Sequence, residues 1–358
     1  MATPRFRPAL ESIPAYKAGK PPAAGKSASY KLSSNENPYP PLPGVIEAAM
    51  AAVGKLNRYP DMGVSRLHGA LADKYGVDIS QIASGAGSVA VLYHLLQASC
   101  SEDDEVVYAW RSFEAYPIAV GLTGARGVQV PVDNSGRHNL SAMREAVTEA
   151  TKVVVVCTPN NPTGPAVHRR ELLELLDSVP SSVLVAIDEA YHEFIDDSDV
   201  PDALEVARGR DNVVVLRTFS KAYGLAGLRV GYAVGPTPVA EAIRKCALPF
   251  GVSSVAQEAA VASLASEAEL LHRVDALKLE RARVATALED QGWRVPSPQG
   301  NFVWLALGES SDEFAAACDE VGVSVRPFPP DGVRVTIGEK EANDLLLATA
   351  DKWLRARG

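Results

Sequence analysis

The sequence has 358 residues, of which 47% are hydrophobic and 22% are charged. At roughly 150 residues per domain this length predicts two domains, and the composition is that of a folded globular chain rather than a disordered or coiled-coil one. The net charge of −9 comes without a basic stripe, which argues against a nucleic-acid partner. No apolar run approaches the roughly 20 residues of a membrane span and no secretory signal is recognisable, so we expect a cytoplasmic protein with no membrane partner.

The cysteines and histidines are scattered along the chain. The four cysteines include no C-x-x-C pair, and the six histidines form no H-x-x-x-H or H-x-H cluster. These spacings favour neither a structural zinc site nor a disulfide framework. We therefore expect reduced thiols and no metal.

In chain order, residues 1 to about 30 are rich in Pro, Gly, Ala and Lys and predict an extended arm. Short, continuous runs rich in Val and Ile then recur, which is typical of strands covered on both faces of a parallel sheet. The strands are predicted at Glu105–Tyr108, Gly127–Val130, Lys152–Cys157, Val183–Ile187, Val213–Arg217 and Val230–Val234. Helices are predicted at Pro43–Leu56, Ser65–Tyr75, Gly87–Ala98, Leu140–Ala150 and Arg169–Ser178. This βα alternation predicts a doubly wound α/β domain.

The pattern changes near residue 236. Long helical patterns are predicted at Thr237–Cys246, Ser254–Ala265 and Ala268–Gln291, followed by strands at Asn301–Ala306 and Val333–Ile337 and helices at Asp312–Glu320 and Asn343–Arg357. This part predicts a smaller α+β domain. The predicted organisation is an N-terminal arm at 1–34, a large domain at 35–245, and a small domain at 246–358 that packs with the arm.

Unusual chemistry follows several predicted strands, where open α/β sheets bind their ligands. Lys221 follows one such strand and precedes a glycine-rich stretch; alone, it would be interpreted as a surface lysine. Asp188 ends another strand, where a buried carboxylate is costly without a cationic partner, although capping a helix is an equal alternative. A pyridinium nitrogen would be a suitable partner, because a fixed anion keeps that nitrogen protonated and makes the ring an electron sink.

Together the motifs resemble the aminotransferases that use pyridoxal phosphate and share the aspartate aminotransferase fold, known as fold type I. Asp188 and Tyr191 have the family's D-x-x-Y spacing, Lys221 lies 33 residues after Asp188, and Arg229 ends the run S-K-A-Y-G-L-A-G-L-R. The resemblance extends from Asn35 to about residue 337. It implies a large α/β domain with a mostly parallel seven-stranded sheet, a smaller α+β domain, and pyridoxal 5′-phosphate as the cofactor.

The resemblance also implies roles at the cofactor. Lys221 would form the covalent link to the cofactor and then move the substrate's Cα proton, with Asp188 on the pyridine nitrogen. Tyr191 and Asn161 would bond the phenolic oxygen, although Asn161 before a proline is also a turn former. The residues implied in phosphate binding, through backbone N–H groups at a helix N-terminus or through their side chains, are Gly85, Ala86, Gly87, Ser88, Thr218, Ser220 and Arg229.

Three aromatic positions extend this interpretation. Phe113 matches a ring that stacks on the pyridine; an ordinary core phenylalanine is the alternative. Tyr59, in N-R-Y-P, matches a tyrosine that reaches the cofactor phosphate of a neighbouring subunit, which implies a homodimer with a shared active site. The arm would cover the substrate across that interface, with Tyr16 and Asn35 near it.

The sequence motifs leave two substrate classes open. Arg334 matches the arginine that pairs with the substrate's anion, and either a carboxylate or a phosphate would suit its planar donors. Arg326 could assist, or could be a solvated charge at a strand end. Several motifs are typical of the histidinol-phosphate aminotransferase branch, but W-R-S-F-E-A-Y-P at 110–117 resembles actinobacterial aromatic amino-acid (phenylalanine) aminotransferases.

We therefore expect transamination of phenylalanine, tyrosine or tryptophan with a 2-oxo acid such as 2-oxoglutarate, and histidinol-phosphate transamination is the alternative. A pyridoxal-phosphate lyase or decarboxylase would keep the same lysine and aspartate. A regulator that borrowed the fold would carry an added DNA-binding domain, and we expect none, because the segment before Ser34 has neither the length nor the basic charge for one.

Overall fold

The structure, a computed structural model, describes residues 4–20 and 29–357. The strands are β1 (Tyr30–Lys31), β2 (Ile82–Gly85), β3 (Glu105–Trp110), β4 (Arg126–Pro131), β5 (Thr151–Cys157), β6 (Leu184–Asp188), β7 (Val213–Thr218), β8 (Gly231–Val234), β9 (Phe302–Leu305), β10 (Val323–Ser324), β11 (Arg326–Phe328) and β12 (Gly332–Thr336). The α-helices are α1 (Ala9–Ser12), α2 (Pro43–Val53), α3 (Ser65–Tyr75), α4 (Ser88–Ser99), α5 (Ala115–Thr123), α6 (Leu140–Glu145), α7 (Arg169–Ser178), α8 (Ala203–Ala207), α9 (Thr237–Cys246), α10 (Ser254–Ala265), α11 (Glu267–Asp290), α12 (Ser311–Glu320) and α13 (Lys340–Arg355).

The largest sheet has seven strands within the described residues, in the order β2-β8-β7-β6-β5-β3-β4. The strands from β7 to β4 run parallel, and β8 is antiparallel to both of its neighbours. Cys157 is paired in register with Asp188, so the carboxyl ends of β5 and β6 lie side by side. The predicted seven-stranded, mostly parallel sheet is confirmed.

Both faces of this sheet are buried, which explains its valine-rich strands. In β5, Val153 and Val155 pack into a cluster with α4 and α5, whereas Val154 and Val156 pack on the opposite face with α6 and α7. All four side chains have at most 1% exposure. Because successive side chains of a strand point to opposite faces, a strand covered twice needs apolar residues at every position.

A second sheet of three antiparallel strands, in the order β11-β12-β9, lies in the C-terminal part. Its apolar side chains share a core cluster with those of α11, α12 and α13. Strand β1 pairs in parallel with β10, so the chain before the large sheet is tied to this C-terminal part. Arg326 and Arg334 are partners in the β11–β12 register, which places them side by side on neighbouring strands.

The sequence missed some elements. It did not predict β2, since these four residues read Ile-Ala-Ser-Gly and lack the Val- and Ile-rich signal. It also missed α5 and the short strands β1, β10 and β11. The helix predicted at 140–150 ends at Glu145, because the chain turns where the Thr148 amide donates to the Thr151 hydroxyl at 2.9 Å.

No helix among the described residues is long and apolar enough to cross a membrane.

Candidate active site

A cavity of about 250 Å³ opens at the carboxyl ends of β5, β6 and β7. The ends of these strands contribute Cys157, Asp188 and Thr218 to its wall, and β11 and β12 contribute two arginines. The sequence-predicted site residues that line it are Tyr16, Ser88, Phe113, Asn161, Asp188, Tyr191, Thr218, Ser220, Lys221, Arg229, Arg326 and Arg334. Residues separated by up to 318 positions in the sequence therefore meet in one cavity.

The Lys221 amine lies inside this cavity. It donates to the backbone carbonyl of Ser34 at 3.1 Å and to that of Asn35 at 3.3 Å. Burial lowers the pKa of this amine to about 7, and the nearby charge of Arg334 acts in the same direction. A substantial fraction of the amine is therefore unprotonated at neutral pH, which is the form that attacks a carbonyl or accepts a proton.

Asp188 is buried at the end of β6 with one of its two carboxylate oxygens unpaired. Its Oδ2 accepts a hydrogen bond from the Tyr116 hydroxyl at 2.8 Å, whereas Oδ1 is buried and has no partner among the residues that the structure describes. Burial raises the pKa of this carboxyl to about 6, against the hydrogen bond from Tyr116. An unpaired buried carboxylate oxygen is costly, and a cationic N–H donor placed in the cavity would satisfy it.

Tyr191 and Asn161 are both held by hydrogen bonds from other residues. The Asn35 side-chain amide donates to the Tyr191 hydroxyl at 2.9 Å, and the Asn35 amide oxygen accepts from Thr336 at 3.0 Å. Arg334 donates to the Asn161 oxygen at 2.6 Å. The Tyr191 proton and the Asn161 NH₂ group are therefore left to donate into the cavity. Burial raises the pKa of the Tyr191 phenol, which keeps its proton in place.

The N-terminus of α4 contributes Ser88 to the wall of the cavity. Gly87 precedes α4 with φ of +85°, a conformation that glycine adopts at little cost. Ser88 then opens the helix, whose first N–H groups are unpaired and attract anions. Thr218 donates to the Ser220 hydroxyl at 3.0 Å, and Arg229 donates to the same hydroxyl at 3.4 Å.

Of the predicted phosphate residues, Gly85, Ala86 and Gly87 do not line this cavity. Gly85 and Ala86 line a neighbouring one, although the Ala86 carbonyl accepts from Arg229 at 3.4 Å. Gly85 is the last residue of β2, so Ala86 and Gly87 form the turn that leads into α4.

Aromatic side chains form one wall. The Phe113 ring lies edge-on to Tyr116 with centroids 5.6 Å apart and edge-on to Tyr16 with centroids 6.5 Å apart. Phe328 of β11 also lines the cavity. The arm thus reaches the cavity of its own chain through Tyr16.

Tyr59 is not brought into this cavity. Its side chain is 81% exposed, and its ring stacks on Phe250 with centroids 4.5 Å apart. A role at the cofactor would require a second chain, so the shared active site stays a prediction.

Arg326 is not the solvated charge considered as an alternative. It is 9% exposed, pairs with Glu114 at 2.6 Å, and donates to the backbone carbonyls of Lys17 and Ala18. Arg334 is also buried and donates to the carbonyl of Ser33, and its Nε has no partner in the described part of the chain. Burial lowers the pKa of Arg334.

The sequence analysis missed Tyr116, Glu114 and Phe328. Tyr116 could have been found, because it follows Phe113 by three residues, or about one helical turn. Glu114 carried no such signal, since its partner Arg326 lies 212 residues away.

Comparison with known proteins agrees with this geometry. Residues 29–349 match the family described as aminotransferase class I and II. The chain belongs to this family. It is similar to the aromatic amino acid aminotransferases of Streptomyces avermitilis, with 58% identity over 98% of each chain, and of Thermobifida fusca, with 52% identity over 97% of this chain and 96% of that one.

Solved structures give the same fold. Histidinol-phosphate aminotransferase from Sinorhizobium meliloti, in complex with pyridoxal-5′-phosphate, aligns with a TM-score of 0.89 and 28% identity over 100% of this chain and 99% of that chain. A Thermus thermophilus aspartate aminotransferase variant aligns with a TM-score of 0.84 and 22% identity over 99% of each chain. The predicted aminotransferase of fold type I, with pyridoxal phosphate as its cofactor, is confirmed.

The residues in the cavity fit this cofactor. The unpaired Oδ1 of Asp188 suits a protonated ring nitrogen, the Lys221 amine is partly unprotonated at neutral pH, and the start of α4 offers N–H groups to a phosphate. Tyr191 and Asn161 can both donate to a phenolate oxygen.

Proposed function

We propose that this enzyme transfers the amino group of aromatic L-amino acids to a 2-oxo acid such as 2-oxoglutarate. The observation that carries the proposal is its similarity to aromatic amino acid aminotransferases from several actinobacteria at 49–58% identity, over 97–98% of this chain. At these identities the relatives named for that substrate class share the fold of this chain.

The wall of the cavity supports this substrate class. Phe113 and Phe328 present apolar surface to it, and Tyr16 adds an amphipathic ring from the arm. Aromatic side chains prefer edge-to-face contacts with one another, at centroid separations of about 4.5–7 Å. A phenyl or indole ring of the substrate would find such partners here.

The roles we propose for the chain's own residues follow from their positions. Lys221 binds the cofactor covalently and then carries a proton to and from the substrate Cα. Asp188 holds the ring nitrogen of the cofactor protonated, and Tyr191 and Asn161 donate to its phenolic oxygen. When bound, pyridoxal phosphate supplies the ring that accepts the electron pair left at Cα. Arg334 orients the amino acid by its carboxylate.

We propose that hydrogen-bond donors at the start of α4 and on the neighbouring loop hold the phosphate of the cofactor. Thr218, Ser220 and Arg229 add side-chain donors to the N–H group of Ser88, whereas the Gly87 N–H already donates to the Gly85 carbonyl at 2.7 Å. A dianion is stabilised there both by direct hydrogen bonds and by the positive end of α4.

The test is to assay the purified holoenzyme with 2-oxoglutarate as acceptor and to measure the 2-oxo acid formed from L-phenylalanine. A larger kcat/KM for L-phenylalanine than for L-histidinol phosphate is the expected result. Lys221→Ala is the control, since it removes the amine that we propose binds the cofactor and moves the proton. Undiminished turnover by that variant would overturn the catalytic assignment.

Histidinol phosphate is the second candidate donor. Two arginines on adjacent strands, Arg326 and Arg334, line the cavity together, and a phosphate could pair with both. A preference for L-histidinol phosphate in the same assay would replace the aromatic substrate in our proposal.

We further propose a homodimer in which Tyr59 reaches the partner's cofactor phosphate, and a cytoplasmic location. The exposed position of Tyr59 supports the first. We also propose a division into an arm at 1–34, a large domain at 35–245 and a small domain at 246–358. The separate sheets, one between residues 82 and 234 and the other between 302 and 336, support this division.

A further inference from the structure

Two arginines face the same end of the cavity, but they are not equally available to a ligand. Arg326 and Arg334 are direct neighbours in the β11–β12 register. Both guanidinium groups lie near the Phe328 ring, at 5.2 Å and 5.6 Å from its centroid. Two free guanidinium groups so arranged would form a site for a doubly charged anion.

Arg326 is already occupied. One terminal nitrogen donates to the Ala18 carbonyl at 3.1 Å, and the other donates at 2.6 Å both to the Lys17 carbonyl and to Glu114 Oε2. The Arg326 side chain is 11% exposed and that of Glu114 is 28% exposed, so solvent screens this pair only in part. The positive charge of Arg326 is therefore compensated by Glu114 before any substrate arrives.

Arg334 differs in its partners. Its terminal nitrogens donate to Asn161 and to the carbonyl of Ser33, and within residues 4–20 and 29–357 its buried Nε has no partner. These partners are uncharged. Among the described residues at this end of the cavity, the charge of Arg334 is the one without a paired carboxylate.

The other acidic side chains that line the cavity do not pair with Arg334 and so do not compensate its charge. Glu36 pairs with Lys31 at 2.9 Å, and Asp188 lies at the end of β6 beside Tyr116. The end of the cavity formed by β11 and β12 therefore carries one uncompensated positive charge.

We propose that Glu114 determines which anion this enzyme accepts: by pairing with Arg326 it leaves a site for one negative charge, which favours a substrate carboxylate over a phosphate monoester. This inference rests on the proposed aminotransferase function and deepens it. A carboxylate carries one charge and is matched by Arg334 alone. A phosphate monoester carries nearly two negative charges at neutral pH. Its second charge faces the Glu114–Arg326 pair, which has no net charge to attract it.

The second part of the role concerns the arm. Because Arg326 also holds the carbonyls of Lys17 and Ala18, the ion pair with Glu114 keeps its guanidinium in the position that binds the arm. Glu114 thus acts through Arg326, as a specificity-determining residue that need not contact the substrate.

The test uses two substrates that share an imidazole side chain and differ in their anion, L-histidine and L-histidinol phosphate. The measured quantity is the ratio of their kcat/KM values, the phosphate ester over the amino acid, in the holoenzyme. In Glu114→Gln, which keeps the shape and removes the charge, we expect this ratio to rise on the order of tenfold, because the freed charge of Arg326 attracts the second charge of the phosphate in a partly exposed site. The gain should appear mainly as a lower KM for L-histidinol phosphate.

Three further variants separate charge from structure. Glu114→Asp keeps the negative charge and should keep the ratio near that of the wild type. Arg326→Gln should shift the ratio in the opposite direction, because it leaves Glu114 unpaired and repels the dianion. The double variant Glu114→Gln with Arg326→Gln restores a neutral pair, and its ratio should return toward the wild-type value.

A ratio that stays at its wild-type value in Glu114→Gln would overturn the inference. So would a double variant whose ratio remains as high as that of Glu114→Gln. Failure of the proposed function is seen separately, as absence of turnover of L-phenylalanine by the wild-type enzyme.

Discussion

The Tyr116 hydroxyl donates a hydrogen bond of 2.8 Å to Oδ2 of Asp188, and Oδ1 of the same carboxylate is buried with no partner among the described residues. Tyr116 is itself 1% exposed, and its ring packs edge-on against Phe113. One tyrosine therefore supports both the carboxylate and the aromatic ring that we assign to the cofactor. It is a positioning residue, since it acts through these two side chains.

We expect Tyr116→Phe to weaken cofactor binding. The variant keeps the ring and removes one hydrogen bond to a charged group, and such bonds are worth about 1.5–3 kcal/mol, or on the order of tenfold or more in the dissociation constant. Without this donor the pKa of Asp188 should also rise above its value of about 6. A larger fraction of the carboxyl is then protonated at neutral pH and cannot pair with a cationic ring nitrogen. Titrating the cofactor-free protein with pyridoxal phosphate, followed by absorbance, measures the change.

Tyr108→Phe is the matched control for this prediction. Tyr108 is equally buried and belongs to the same aromatic cluster, but its hydroxyl accepts a hydrogen bond from Gln129 rather than donating to a carboxylate. Equal losses of cofactor affinity in the two variants would show that the Tyr116 hydroxyl has no special role.

The buried amine of Lys221 predicts a pH dependence of stability in the cofactor-free protein. Burial lowers its folded-state pKa to about 7, whereas an unfolded lysine has a pKa of about 10.4. Between these values the unfolded chain binds more protons than the folded one, so the free energy of unfolding from this group rises with pH from about 7 to about 10. Urea unfolding midpoints of the cofactor-free protein across this window measure the rise.

Lys221→Met provides the comparison, because it fills similar space without an ionisable group. The variant should be the more stable of the two near pH 7, and the difference should shrink as the pH approaches 10. Parallel curves for the two proteins would contradict a buried, destabilising ammonium at this position.

Most residues that the sequence predicted for the cofactor line one cavity, because they follow strand ends within short motifs. Asp188 and Tyr191 lie three residues apart, and the parallel sheet brings the ends of β5, β6 and β7 to one edge. The ion pair between Glu114 and Arg326 could not be predicted in this way. It joins residues 212 positions apart, one directly before α5 and the other in β11, and no local pattern encodes how these two segments meet.

The burial of Arg326 illustrates the same limit. The sequence placed it near the end of a strand and left open whether it was solvated. Its 9% exposure arises from the arm, whose backbone carbonyls cover its guanidinium. Tertiary contacts of this kind decide the role of a charged residue that periodicity alone leaves undetermined.

Tyr59 provides a test of the shared active site. Its hydroxyl makes no hydrogen bond among the described residues, although its ring stacks on Phe250. If it donates to the cofactor phosphate of a partner subunit, Tyr59→Phe should raise the dissociation constant for pyridoxal phosphate on the order of tenfold, as expected for a lost bond to a charged group. Tyr39→Phe, at another exposed tyrosine, should leave it unchanged, and the same affinity in Tyr59→Phe would remove the argument for a shared site.

Gly231 provides a steric test of the phosphate end of the cavity. This residue begins β8, and a Cβ added to it would lie 2.7 Å from the carbonyl carbon of Gly87 and in contact with the Ser88 amide nitrogen. Gly231→Ala must therefore displace the start of α4, whose N–H groups we assign to the phosphate. We expect the dissociation constant for pyridoxal phosphate to rise on the order of tenfold or more and the stability to fall by about 1–3 kcal/mol, as for overpacking in a core.

Gly227→Ala is the matched control, because a Cβ there would meet nothing within 4 Å. It lies in the same glycine-rich stretch after Lys221, so both variants change one glycine to alanine in one segment. The comparison separates a steric effect on α4 from a loss of glycine as such. Cofactor affinity that falls equally in both variants, or in neither, would contradict the assignment of the phosphate to the start of α4.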